Sequence, residues 1–173
     1  MPRDEYYDDD DAAQDEDDDE GDNDEEDEDD EPTFTENLVF GIMPFRGEDS
    51  DEIFSAIKAG CSRIYLKAKR ADENAGSGLI IDEIMELIDD AEFIVCDLTG
   101  ERPNVYYELG YAHGAENEPQ RILLIAKEGT KLHFDIAPLR AEFYKSAEDL
   151  QTIVTNKLKA MRKVTRSPDW MQE

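Results

Sequence analysis

The stretch from Phe93 to His113 constrains the fold of this chain more than any other segment. It begins with an apolar run at residues 93–96, passes through a polar turn at residues 97–100 and restarts at Pro103. A buried run that ends in a carboxylate, followed by a short turn and a proline suited to a first helical position, predicts a strand, a loop and a helix. In an open α/β sheet, ligands bind at such junctions, outside the carboxyl ends of the strands.

Short apolar runs alternate with amphipathic stretches along the rest of the chain. The predicted strands are residues 38–43, 63–67, 92–97 and 121–126, with residues 142–144 as the candidate for a short fifth. The predicted helices are residues 49–60, 80–90 and 103–116, with a last one that opens at Ser146 and Asp149. This alternation predicts right-handed crossovers and a three-layer α/β domain with a mostly parallel sheet of four or five strands.

Acidic residues are concentrated at the start of the chain. Residues 1–31 hold 21 of the 46 acidic residues and only Arg3 as a base, a net of −20, which leaves −8 on the remainder. Acidic runs with little to bury cannot offset the entropy of ordering a backbone, so we predict a disordered acidic tail at residues 1–36. The α/β domain is then residues 37–164, followed by a C-terminal tail at residues 165–173.

The net charge of −28 bears on partners and location. It disfavours nucleic acid, because the chain repels phosphates and has no basic stripe. The acidic tail either solubilises the chain or engages a basic protein partner. No apolar run is long enough to cross a bilayer, and the acidic start lacks the regions of a signal peptide, so we expect no membrane segment and a cytoplasmic location. Cys61 and Cys96 are expected to be reduced and buried.

Glu108 is the candidate catalytic residue that the sequence itself suggests. It lies one to two turns into the helix after the third strand, on the stripe shared with Asn104, Tyr107 and Tyr111. A carboxylate among aromatic and amide groups at the mouth of a sheet suits attack on a sugar carbon. The alternatives are a solvated helix carboxylate for Glu108 and a loop anchor for Asp97 at the end of the strand.

A second constellation, Gly76-Ser77-Gly78, directly precedes the second helix. Glycines, a serine hydroxyl and free N–H groups at a helix N-terminus can form an anion site. A substrate 5′-phosphate would contact Ser77 and Gly78 there, with Arg46 or Arg70 completing the charge. Ordinary helix capping is the alternative. No cofactor is predicted, and no clustered ligands suggest a metal site.

The chain resembles a known family. The resembling segments are residues 39–45, 70–72, 97–99, 103–113 and 134–136, among which Glu108-Leu109-Gly110-Tyr111-Ala112 is the most specific part. They are similar to the bacterial nucleoside 2-deoxyribosyltransferase-like proteins, which share a flavodoxin-like fold with TIR-type nucleotide hydrolases. The resemblance covers roughly residues 38–145 and leaves the acidic tail unexplained.

The resemblance implies cleavage or transfer of the N-glycosidic bond of a nucleoside or nucleotide. Glu108 would attack the anomeric carbon, and Asp97 would orient a ribose hydroxyl or hold Glu108 through a water. The other substrate-binding residues that it implies are Met43, Phe45, Arg70, Asp72, Asn104, Tyr107 and Tyr111. Phe45 would stack on the base, Asn104 would bind the sugar or Glu108, and one of the tyrosines would supply a hydroxyl.

One departure from the family leaves the chemistry open. The transferases carry extra carboxylates near the nucleophile, whereas this chain has Glu101 and Arg102 between Asp97 and Glu108, so the general acid is unassigned. The alternative function is a non-catalytic nucleotide-binding or signalling module of the same fold, with the acidic tail used for protein interaction. Related proteins are usually oligomers, so a homo-oligomer is expected.

Overall fold

The computed structural model of the chain describes residues 34–44, 47, 49–71, 80–115, 119–133, 136 and 139–166. These residues form one five-stranded sheet in which every pairing is parallel and the strand order is β2-β1-β3-β4-β5. The strands are β1 (Thr35–Ile42), β2 (Lys67–Lys69), β3 (Ala91–Asp97), β4 (Ile122–Lys127) and β5 (Ala141–Tyr144). This order is that of flavodoxin-like folds, so the predicted fold class is confirmed.

Four helices cover the two faces of the sheet. They are α1 (Ser50–Ser62), α2 (Ile80–Asp90), α3 (Pro103–Gly114) and α4 (Ala147–Thr165), and a short 3₁₀ turn (Pro119–Arg121) precedes β4. One buried cluster joins the sheet to α1 and α4, which we call the α1/α4 core. The other joins it to α2 and α3 and is called the α2/α3 core.

The central strand β3 is buried at all seven of its positions. Its side chains alternate between the two faces, as strand geometry requires. Phe93 and Val95 enter the α1/α4 core, while Ile94 and Cys96 enter the α2/α3 core. Cys61 and Cys96 are free and buried, as predicted.

Two predicted strands begin at the wrong residue by three or four positions, and the other predicted strand boundaries lie within two residues of the observed ones. β1 begins at Thr35 rather than residue 38, so Thr35 and Glu36 belong to the strand and not to the predicted tail. β2 begins at Lys67 rather than residue 63, because α1 continues to Ser62 and the chain then turns through residues 63–65. Tyr65 adopts a left-handed φ of 61° in this turn, and the Leu66 N–H donates back to the carbonyl of Cys61. The turn therefore uses backbone groups that a strand would present to its neighbour.

The predicted helix boundaries agree with the structure better than the predicted strand boundaries do. α2 has the predicted bounds, α3 ends two residues before residue 116, and α4 begins after Ser146, whose Oγ accepts from the Asp149 N–H at 3.2 Å. Asp49 is the N-cap of α1, but its carboxylate does not cap the helix and instead accepts from Lys127 Nζ at 2.9 Å. Residues 1–33 and 167–173 of the predicted tails lie outside the described residues, and Thr165 belongs to α4 rather than to the predicted C-terminal tail.

None of the described helices combines the length and the apolar content that crossing a bilayer requires. The cytoplasmic location stays a prediction.

A buried ion pair ties the end of α4 to the start of the sheet. Glu92, only 1% exposed, accepts from Arg166 Nε at 3.0 Å and Arg166 Nη2 at 2.9 Å. The Glu92 carboxylate also accepts from the Asn37 N–H, and Arg162 donates to the Asn37 side chain and to the Ile64 carbonyl. We call these four side chains the corner clamp: Asn37, Glu92, Arg162 and Arg166.

The contact between α1 and α4 is tightest at Gly60. A Cβ there would lie 2.9 Å from the Gln151 carbonyl oxygen and 3.0 Å from Val154 Cβ. We therefore expect Gly60→Ala to lower the free energy of unfolding by about 1–3 kcal/mol, because the two helices must separate. Gly110→Ala is the matched control, since nothing lies within 4 Å of a Cβ at that helical position, and it should raise stability by up to about 1 kcal/mol. Urea denaturation of both variants checks the prediction, and equal effects would contradict it.

Candidate functional site

The carboxyl ends of β1 and β3 form a cleft at the point where the strand order reverses. From β1 the chain crosses to β2 on one side, and from β3 it crosses to β4 on the other, so this is the position where open α/β sheets bind ligands. The cleft has a volume of about 210 Å³ and we call it the switch-point cleft. Its described lining residues are Pro44, Gly47, Asp49, Ser50, Ile53, Asp97, Thr99, Gly100 and Arg102.

Asp97 lies at the floor of this cleft and is held by Thr99. It is 2% exposed, and its Oδ1 accepts from Thr99 N at 3.0 Å and from Thr99 Oγ1 at 2.6 Å. Thr99 Oγ1 accepts in turn from the Lys127 N–H at 2.9 Å and lies 3.2 Å from the Tyr144 hydroxyl. Burial raises the pKa of Asp97, and the Thr99 hydrogen bonds and Lys127 act in the opposite direction. Asp97 therefore both lines the cleft and anchors the loop.

Glu108 is buried against the sheet rather than solvated. It is 6% exposed on the inner side of α3, close to Cys96 at the end of β3. Burial raises the pKa of Glu108 from 4.5 to about 7, although a hydrogen bond with the Asn104 side chain opposes the shift. A carboxyl group that changes charge near neutrality inside an α/β sheet edge is typical of acid–base and nucleophilic sites.

The two carboxylates approach the end of β3 from opposite faces. Asp97 continues the side of β3 that carries Val95, in the α1/α4 core. Glu108 lies on α3, on the side of the sheet that carries Cys96. A single ligand that contacts both must therefore lie across the carboxyl edge of the sheet.

Four other predicted site residues are packed, exposed or bonded to other parts of the protein. Met43, 1% exposed, is packed in the α1/α4 core, and Tyr107 is 66% exposed. The Tyr111 hydroxyl donates to Asp89 Oδ2 at 2.9 Å and so joins α3 to α2. Arg70 donates to Asp51 Oδ1 at 2.9 Å and to the Ser50 carbonyl at 3.3 Å, and its guanidinium lies over the Phe54 ring.

Several predicted site residues lie outside the described residues. They are Phe45, Arg46, Asp72, Ser77 and Gly78. Their predicted roles in base stacking and phosphate binding stay predictions.

Tyr106 was missed by the sequence reasoning, which chose Tyr107 and Tyr111. Its ring lines a cavity of about 450 Å³ together with Glu101, His133 and Ile136. Its hydroxyl is buried and has no hydrogen-bond partner in the part of the chain that the structure describes. With 100° of rotation per helical residue, Tyr106 and Glu108 lie on opposite flanks of α3, and both come close to Cys96 at the end of β3. The positions of Tyr106 and Glu108 around the helix axis could have been predicted from their sequence spacing.

Ser50 and Arg102 were also missed as cleft residues. The sequence pattern places Ser50 inside the predicted helix at residues 49–60, and Arg102 does not match the pattern of the family that the chain resembles. Their proximity depends on the pairing of β1 with β3, which brings two distant loops together.

Comparisons with known proteins do not identify a family for this chain. No family profile and no curated protein matches the chain. Over the described residues, no three His, Cys, Asp or Glu side chains are grouped closely enough to hold a metal ion. Fold and geometry together define a flavodoxin-like α/β protein with a buried carboxylate on each side of its central strand end.

Proposed function

We propose that the protein cleaves or transfers the N-glycosidic bond of a nucleoside or nucleotide, with Glu108 as the nucleophile. The observation that carries the proposal is the burial of the Glu108 carboxylate beside the end of β3, with Asn104 hydrogen-bonded to it. The similarity of residues 97–113 to nucleoside 2-deoxyribosyltransferase-like proteins supports the same assignment.

The chemistry proposed for Glu108 is a two-step displacement. One carboxylate oxygen forms a bond to the anomeric carbon while the bond from that carbon to the base nitrogen breaks, and its electron pair leaves with the base. Water or a second base then attacks the same carbon and releases Glu108. Asn104 orients the carboxylate of Glu108. Asp97 accepts a hydrogen bond from a sugar hydroxyl on the side of the switch-point cleft.

The pH dependence of activity tests the role of Glu108. A nucleophile must be ionised, and the pKa of Glu108 is about 7, so kcat/KM should rise about tenfold per pH unit below neutrality and level off above it. Glu108→Gln should lower kcat by about three orders of magnitude or more. The assay is release of free base, measured by chromatography, from nucleosides, deoxynucleotides and NAD.

The control is Glu86→Gln, which removes an exposed carboxylate from α2. It should leave both the rate and its pH profile unchanged. Base release that persists in Glu108→Gln, or a wild-type protein that releases no base from the panel, contradicts the assignment.

A second candidate function is nucleotide binding without turnover. It is favoured by the hydrogen bonds that already occupy Asp97 Oδ1 and the Tyr111 hydroxyl, because engaged groups are poor proton donors to a leaving base. Calorimetry followed by chromatography of the recovered ligand separates the two functions. A binding module returns the nucleotide intact.

A further inference from the structure

We propose that the switch-point cleft binds the phosphate of the substrate through Arg102 and the first turn of α1, so that the substrate is a nucleotide rather than a nucleoside. The substrate class deepens the proposed function and rests on it. The binding site itself is tested by ligand affinity, whether or not base is released.

Two helix N-termini open on this cleft without side-chain caps. The N-cap of α1 is Asp49, whose carboxylate is turned toward Lys127, and the N-cap of α3 is Arg102, which has no acceptor to offer. Both residues line the cleft. The first N–H groups of a helix have no partner within the helix and carry a partial positive charge, so they bind anions readily.

Ser50 supplies an independent sign of a ligand. It is only 7% exposed, yet its hydroxyl makes no hydrogen bond within the described structure and lines the cleft. Gly47 keeps the space beside this hydroxyl open, since a Cβ at residue 47 would lie 2.9 Å from Ser50 Oγ. Ser50 therefore presents a hydroxyl to the cleft that no described protein group engages, and a bound ligand can accept its hydrogen bond.

One cation of the cleft has no ion-pair partner among the described residues. Asp49 is paired with Lys127 at 2.9 Å, and Asp97 is engaged by Thr99. Arg102 is exposed and forms no ion pair with any residue that the structure describes. The planar guanidinium group matches the oxygens of a phosphate in a two-pronged contact.

The cation that the sequence suggested for this role is engaged elsewhere. Arg70 is 5% exposed and bonds to Asp51 and the Ser50 carbonyl, so it holds the start of α1 in place. Arg70 thereby positions Ser50 at the cleft, and Arg102 remains to contact the anion.

Calorimetry with matched ligands tests the phosphate site. The probes are 2′-deoxyadenosine 5′-monophosphate, adenosine 5′-monophosphate, the two nucleosides without phosphate, and inorganic phosphate. We expect wild type to bind each nucleotide at least about tenfold more tightly than its nucleoside, as charge-assisted hydrogen bonds to phosphate provide. In Arg102→Gln the ratio of nucleotide affinity to nucleoside affinity should fall to about twofold. Ser50→Ala should also reduce this ratio.

Arg63→Gln is the matched control. It removes the same charge from an exposed arginine at the end of α1, where the Arg63 guanidinium donates only to the Gln151 side chain among the contacts described. It should preserve the gap between nucleotide and nucleoside. Thermal unfolding of all three variants establishes that each is folded.

The outcomes separate the two proposals. Equal affinities for nucleotide and nucleoside, or a gap that survives in Arg102→Gln, overturn the phosphate site even if base is released. Nucleotide binding that depends on Arg102, without release of base, supports the site and rejects the glycosidic chemistry. No binding by any probe overturns the phosphate site.

Discussion

Replacing Glu108 by glutamine should raise the free energy of unfolding at about pH 8 by about 3 kcal/mol. The pKa of Glu108 is raised from 4.5 to about 7 by burial, and a displacement of that size corresponds to about 3 kcal/mol between the two protonation states. Glutamine resembles the protonated form of the side chain and can still pair with Asn104. It therefore avoids the cost of burying a charge.

The sign of the pH dependence follows from the direction of the shift. Because the folded protein holds the Glu108 proton more tightly than the unfolded chain does, this group contributes full stability below about pH 4.5. That contribution declines as the pH rises through about 7. The difference between wild type and Glu108→Gln should accordingly be near zero at about pH 4 and reach its maximum above about pH 7.5.

Urea denaturation at several pH values measures this difference. Glu86→Gln serves as the control, since it alters an exposed glutamate and should follow the wild-type curve. A difference between wild type and Glu108→Gln that stays constant with pH contradicts the burial of a titrating carboxyl group at this position.

Replacing Arg166 by methionine should destabilise the protein by about 3 kcal/mol. Glu92 is 1% exposed, and its charged partner among the described residues is Arg166, whose donors lie at 3.0 and 2.9 Å. Without them a charge stays buried and is paired only with the Asn37 N–H among its described partners. Removal of one partner of a buried ion pair costs about 3–5 kcal/mol, and the lower value applies because the Arg166 side chain is 39% exposed.

The double variant Glu92→Met with Arg166→Met distinguishes charge burial from lost packing. It should recover most of the stability, because no unpaired charge is left in the corner clamp. Chemical denaturation of the two single variants and the double variant gives the coupling. If the double variant is as unstable as the sum of the singles, the clamp acts by packing alone.

Much of the fold was predictable because several elements carry complete local signals. α2 has a regular apolar stripe, and α4 begins directly after Ser146, whose side-chain cap the spacing to Asp149 predicts. β2 was misplaced because it has only three residues at the sheet edge. Its position is decided by the turn after α1, in which Tyr65 takes a left-handed conformation that no local pattern announces.

The sequence predicts the candidate site residues only where they lie in or beside the loop that joins β3 to α3. Asp97, Asn104 and Glu108 follow from the strand, loop and helix at residues 93–113, and the resemblance assigns them roles. The cleft also contains Ser50, which depends on how β1 pairs with β3. The separation of Asp97 and Glu108 onto opposite faces follows from strand alternation, but only once the packing side of α3 is known.

The corner clamp also brings the start of the first strand and the end of the last helix close together. Asn37 near the start of β1 and Arg166 just after α4 share Glu92 as a partner, so the first strand begins beside the end of the last helix. A short linker between these points would leave all four parallel strand pairings intact. The domain thus has the geometry that tolerates circular permutation, with new termini placed in an exposed turn such as the one at Gly129.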